Sequence, residues 1–141
     1  SIFRQTQFCR RHNMNPALQP KDRARIAVID DNEAVCRSLS LLLRSKGYGV
    51  SVFDSGLAFL GREGSEGFDC LLIDFKMSPH DGFDLLRELR ARGEIVPAIM
   101  ITGWESKDIF ELAKQEGFAD VIYKPMLDDK LAEALELILA H

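Results

Sequence analysis

The sequence predicts an α/β fold of the doubly wound (βα)5 kind, a five-stranded parallel sheet with helices on both faces. Three observations predict it. Five short, almost wholly apolar segments alternate strictly with five segments whose apolar residues recur at helical spacing. Strands that are apolar on both sides need cover on both faces, which is the situation of a parallel sheet in a layered α/β protein. Polar residues gather at the carboxyl ends of those same segments, where open parallel sheets bind ligands.

The elements follow in order from Arg25. RIAVID (25–30) is a short apolar run suited to a fully buried strand. Val35, Leu39, Leu42 and Leu43 then fall at i, i+4, i+7 and i+8, an amphipathic helix that stops at Gly47. VSVF (50–53) is the second strand. Leu57 and Leu60 mark a short helical stretch ending in a loop that carries Gly61, Gly64 and Gly67. CLLID (70–74) is the third strand, followed by a helix read from Phe83, Leu86, Leu89 and Arg90. PAIMIT (97–102) is the fourth, and Ile109, Leu112 and Ala113 mark the next helix, closed by Gly117. DVIY (120–123) is the fifth, and Leu131, Leu135 and Ile138 give the last helix. Crossovers between parallel neighbours are right-handed. The common five-stranded, flavodoxin-like order 2-1-3-4-5 sets the first and third strands side by side.

Composition narrows the function classes. The chain has 141 residues, 46% of them apolar and 28% charged. At about 100–200 residues per domain this is one domain with a little left over. Such a composition excludes a collagen, a disulfide scaffold and a wholly disordered chain. No uninterrupted apolar stretch approaches the ~18 residues of a membrane span. Net charge is −4, but residues 1–25 hold six Lys or Arg against Asp22 alone, so the body is acidic. An acidic body does not suggest nucleic-acid binding by the domain itself. Cys9, Cys36 and Cys70 are widely spaced, with no CxxC pair, and His12, His80 and His141 are scattered. Reduced thiols in a cytoplasmic protein, two of them buried, are the expectation. Residues 1–23 show no clean period of 2 or 3.6 and read as an N-terminal extension, either in part foreign to the natural chain or a docking tail. The domain proper is 24–141.

The chemistry lies at the strand ends. The first strand ends in Asp30-Asp31, the third in Asp74 and the fourth in Thr102, while the fifth runs into Lys124-Pro125. The order 2-1-3-4-5 gathers Asp30, Asp31 and Asp74. Three carboxylates repel one another and stay ionised only where a cation joins them. Hard oxygen ligands of this number suit Mg²⁺, which keeps several waters and binds phosphate as well. Lys124 adds a positive charge and Thr102 a hydroxyl donor. Such a set can accept a phosphoryl group on an Asp carboxylate. Taken singly, an Asp-Asp pair before a helix is most often a cap and a first-turn acid, and a strand-end Asp a turn residue.

IAVIDDNEAV, LLIDFKMSPHDG, IMITG and YKP together resemble the receiver domain of two-component response regulators, over about residues 24–140. The resemblance implies that Asp74 is the phosphoacceptor. It implies that Asp30, Asp31 and Asp74, with the backbone carbonyl of Lys76, bind Mg²⁺. Thr102 is then the switch hydroxyl, Lys124 the phosphoryl-contacting lysine, and Pro125 a candidate for a cis bond. A sensor histidine kinase is the implied phosphodonor. The face of the fourth helix, fifth strand and last helix is the implied partner-binding or homodimer surface. VFDSGLAFL, RELRARG and ITG resemble the FixJ-like branch, whose members usually carry a helix-turn-helix transcription domain after the receiver. No such domain is present in this sequence, which reads either as a piece cut at the domain boundary or as a single-domain regulator.

Three departures stand out. Pro79 comes one place late in the loop Met77-Ser78-Pro79-His80-Asp81-Gly82, so a reshaped loop is expected. Val121 occupies a switch position usually held by Tyr or Phe, and Tyr123 lies on the same face nearer the active edge. Trp104 sits two residues after Thr102, where an indole would either block the attacking water or serve a partner contact. Lys76 is the other position expected to tune phosphoryl hydrolysis. Rival readings fit less well. A haloacid-dehalogenase-like phosphatase needs DxD, and Lys76 holds the second acid's place. A flavin or nucleotide binder needs a phosphate loop where DDNEA presents carboxylates. A pseudo-receiver that only docks is the third alternative.

Overall fold

The computed structural model describes residues 24–61, 67–77, 81–104, 106–126 and 129–140. The elements are β1 (Arg25–Ile29), α1 (Glu33–Ser45), β2 (Gly49–Phe53), α2 (Gly56–Leu60), β3 (Cys70–Asp74), α3 (Gly82–Ala91), β4 (Ala98–Thr102), α4 (Lys107–Glu116), β5 (Asp120–Tyr123) and α5 (Lys130–Leu139). All strand pairs are parallel and the order is β2-β1-β3-β4-β5. The expected architecture and strand order are the observed ones. Gly64, Cys9, the Ser78–His80 loop and residues 1–23 lie outside the described residues.

The period of two along each strand builds two cores. Ala27, Ile29, Leu71, Ile73, Ala98, Met100 and Val121 face α2, α3 and α4. Ile26, Val28, Cys70, Leu72, Ile99, Ile101 and Ile122 face α1 and α5. Because every strand residue in β3 and β4 is buried, alternation disappears from the sequence and only apolar runs remain. The helices contribute Leu39 and Leu43, Leu85, Leu86 and Leu89, Ile109 and Ala113, and Leu131 and Leu135.

Helix α2 differs from its sequence reading. Leu57 is exposed and Phe59 is the fully buried residue, with Phe53 edge-on at 5.0 Å. A helix of 5 residues is barely more than a turn, too short for its spacing to fix a face. Helix α4 likewise turns Ile109 and Ala113 inward and leaves Leu112 largely outside.

One glycine positions the site. A Cβ on Gly82 would lie 2.9 Å from the carbonyl oxygen of Asp74 and 3.3 Å from Phe75 Cα. Only a missing side chain lets the start of α3 sit against the end of β3. Gly82→Ala is therefore expected to cost about 1–3 kcal/mol by forcing backbone apart. Urea unfolding of the variant beside the wild type measures it; equal midpoints would show that the backbone yields freely.

Candidate functional site

The carboxyl edge of the sheet brings the strand-end residues together. Ile29 pairs with Ile73 across β1 and β3, so Asp30 and Asp74 are neighbours. Thr102 is the last residue of β4, and Lys124 follows β5, its N–H donating to the Thr102 carbonyl at 2.8 Å. Asp30, Asp31 and Asp74 each offer a carboxylate oxygen, all within 4.8 Å of one another. Asp30 and Asp74 are buried, Asp31 exposed. These three acids, Lys76, Thr102, Trp104 and Lys124 line one cleft.

The local structure argues against a merely structural role for the acidic pair. Helix α1 is capped by Asn32, whose side chain accepts from the Val35 N–H at 3.1 Å. Neither Asp30 nor Asp31 is the capping residue. Asp30 Oδ1 accepts from the Asn32 N–H at 2.8 Å, which fixes the carboxylate. Its Oδ2 is buried and accepts no hydrogen bond. Lys124 Nζ lies 3.2 Å from that oxygen, close enough for ion pairing but not aligned for a hydrogen bond. The same ammonium donates to Asp74 Oδ1 at 2.8 Å.

The electrostatics follow. Burial pushes the Asp74 carboxyl up from 3.8 to about 6; the Lys124 hydrogen bond opposes the shift and the Asp30 charge adds to it. Burial works against the Lys124 ammonium, yet its bonds and proximity to Asp74 and Asp30 outweigh that and hold its pKa above the ordinary lysine value. The Lys124 ammonium thus pairs with two of the three acids. A buried carboxylate oxygen without a hydrogen bond, beside two further acids, is the donor set of a hard divalent cation. The residues present fit a metal ion bound through oxygen.

Thr102 is 2% exposed, and its Oγ1 accepts from the Trp104 N–H at 3.0 Å. Trp104 stands at the rim, 55% exposed, its ring 6.2 Å from that of Phe75. It precedes helix α4, whose cap is Ser106. Lys76 is exposed and lines the cleft. The Lys124–Pro125 bond is cis.

Val121 is not brought to the site. It lies opposite Met100, buried in the core and away from the cleft lining. Its place in the strand sets it one pleat deeper than Tyr123, which pairs with Thr102. Gly82 and Cys36 are site neighbours that residue typing missed. The Cys36 thiol donates to the Asp30 carbonyl at 3.2 Å, and burial pushes it up to about 11, so it is a packing group. Gly82 is the closing glycine of the loop, a turn residue in sequence and a contact in space. Cys36 and Cys70 are both free and buried. Among the described residues no helix is long and apolar enough to cross a membrane.

Comparison with known proteins agrees with this geometry. The response regulator receiver domain profile matches residues 26–136. The transcriptional regulatory protein FixJ of Bradyrhizobium diazoefficiens is 36% identical over 111 residues, covering 79% of this chain and 54% of that protein. The transcriptional regulatory protein ZraR of Escherichia coli K12 is 34% identical over 120 residues, 85% of this chain and 27% of that protein. The chain thus spans about half of FixJ and about a quarter of ZraR. Among solved structures, the crystal structure of FixJ-N superposes with a TM-score of 0.76 at 31% identity, covering 84% of this chain and 94% of that one. A receiver domain protein from Clostridium thermocellum gives 0.75 at 28%, covering 83% and 94%. The chain belongs to the response regulator receiver domain family, the signalling domain of two-component systems.

Proposed function

We propose that the chain works as a phosphorylation switch in which Asp74 accepts a phosphoryl group from a sensor histidine kinase in a Mg²⁺-dependent reaction. The carrying observation is the meeting of Asp30, Asp31 and Asp74 within 4.8 Å, with Lys124 bound to Asp74. An oxygen of Asp74 attacks phosphorus and forms an acyl phosphate. The bond from phosphorus to the donor's imidazole nitrogen breaks, and its electron pair leaves with that nitrogen, which holds or takes up a proton. Lys124 neutralises one phosphoryl oxygen, and the Thr102 hydroxyl donates to another. Mg²⁺, when bound, would supply further stabilisation of the charge on the transferring group. Asp30, Asp31, Asp74 and the Lys76 carbonyl are the groups that would hold it. Residues 24–141 form the receiver, and 1–23 extend it. Trp104 and Lys76, at the mouth of the cleft, set water access and hence the lifetime of the phosphorylated form.

The charge of the phosphoryl group added to Asp74 draws Thr102 inward and biases the β4–α4 connection. Phe110, Leu112 and Leu137 leave exposed apolar surface on α4 and α5 for a partner or a second copy. An output domain regulating transcription, as the names of FixJ and ZraR suggest, fits a longer chain. No nucleic-acid contact is assigned to this acidic domain, and a cytoplasmic setting suits a kinase partner. The test is incubation with acetyl phosphate. One phosphoryl group per chain, requiring Mg²⁺ and removed by hydroxylamine, is the expected result. Incorporation that ignores Mg²⁺ or survives hydroxylamine would contradict an acyl phosphate on Asp74.

A further inference from the structure

The aromatic side chains beside the cleft form a connected series. Trp104 is 6.2 Å from Phe75, Phe75 is 5.3 Å from Phe83, and Phe83 is 6.1 Å from Phe118, measured between ring centroids. The series starts at the cleft rim and ends in the core, where Phe118 is buried. Its third ring touches a clamp between two helices. The Arg87 guanidinium of α3 lies 5.9 Å from the Phe83 centroid and donates two hydrogen bonds, of 2.9 and 3.0 Å, to Glu116 at the end of α4.

At the cleft end the series is tied to Thr102, through the Trp104 N–H on its Oγ1. A threonine χ1 has few staggered positions, so a turn of Thr102 toward a phosphoryl oxygen on Asp74 is a jump between discrete rotamers. The jump either drags the Trp104 backbone or releases its N–H. The indole then shifts against Phe75. Val121 cannot transmit such a motion: it is short, branched and packed beneath the sheet edge.

We propose that Trp104 and Phe75 carry the state of the cleft to the α3–α4 side of the domain, through Phe83 and the Arg87–Glu116 clamp. This rests on the phosphorylation of Asp74 proposed above. Two discrete arrangements of Thr102, each favoured by one state of Asp74, supply the bistable element that such coupling requires.

Trp104 is the chain's only tryptophan, so its emission reads the start of the series directly. The experiment treats the full chain with Mg²⁺ and acetyl phosphate, counts incorporation by intact mass, and records Trp104 emission and amide exchange in α3 and α4. In the wild type, emission shifts, and exchange in these helices changes on the order of fivefold or more. Phe75→Leu keeps incorporation and loses the change in exchange; Phe83→Leu, which breaks the series one ring further on, does the same should Phe75→Leu not fold. Tyr123→Leu retains it. No incorporation in the wild type overturns the phosphorylation reading itself, and this inference with it. Full incorporation with still emission or unchanged α3–α4 exchange overturns the inference alone, as does a change that survives in the folded Phe variant or vanishes in Tyr123→Leu.

Discussion

Asp74→Asn is expected to abolish phosphoryl incorporation and, without metal, to make the domain more stable at neutral pH. The first effect is chemical. An amide oxygen does not form the acyl phosphate. The second effect follows from linkage. The folded Asp74 carboxyl titrates near 6 against 3.8 ordinarily, because burial outweighs the Lys124 bond. The folded state therefore holds this proton more tightly than the unfolded chain does. Its stabilising share is complete below about pH 4, falls as pH rises toward 6, and is gone above. The ionised group at pH 7 costs on the order of 3 kcal/mol. Urea midpoints across pH in chelator measure this. The wild type loses stability between pH 4 and 6, and Asp74→Asn flattens that slope. A variant less stable than the wild type at pH 7 would mean that the Lys124 bond dominates.

Lys124→Met is the second large change. Methionine keeps an unbranched stem but removes the only charge that the described structure sets against Asp30 and Asp74, at 3.2 and 2.8 Å. Breaking a buried pair by removing one partner typically costs 3–5 kcal/mol. Lys124 is 23% exposed, so the expected loss is about 3 kcal/mol at pH 8 in chelator. The loss shrinks in acid, where Asp74 takes up a proton. Millimolar Mg²⁺ recovers part of it by binding the folded state alone. Thermal melts with and without Mg²⁺ read both effects. A variant as stable as the wild type at pH 8 would show that water already screens these acids.

Much of this was legible in the sequence, for physical reasons. Fully buried stretches of parallel strand are apolar, so IAVI, CLLI and AIMI announced themselves, and polar residues at their ends marked the candidate site edge. The strand order then placed Asp30 beside Asp74 without any side-chain detail. What stayed hidden depends on three-dimensional packing. Five residues of α2 could not reveal that Phe59, not Leu57, turns inward. Gly82 reads as a turn residue, and only the built backbone shows Asp74 pressed against it. The ring contacts behind Trp104 join residues distant in sequence, Trp104 to Phe75 and Phe83 to Phe118, so no local pattern encodes them.

Mg²⁺ titration of Trp104 fluorescence bears most directly on the acidic cleft, since the indole lines it beside all three carboxylates. Saturable binding by the wild type, weakened about tenfold or more by either Asp30→Asn or Asp74→Asn, is the predicted result. Equal affinities in all three proteins would place the ion elsewhere and contradict the proposed Mg²⁺-dependent phosphorylation of Asp74.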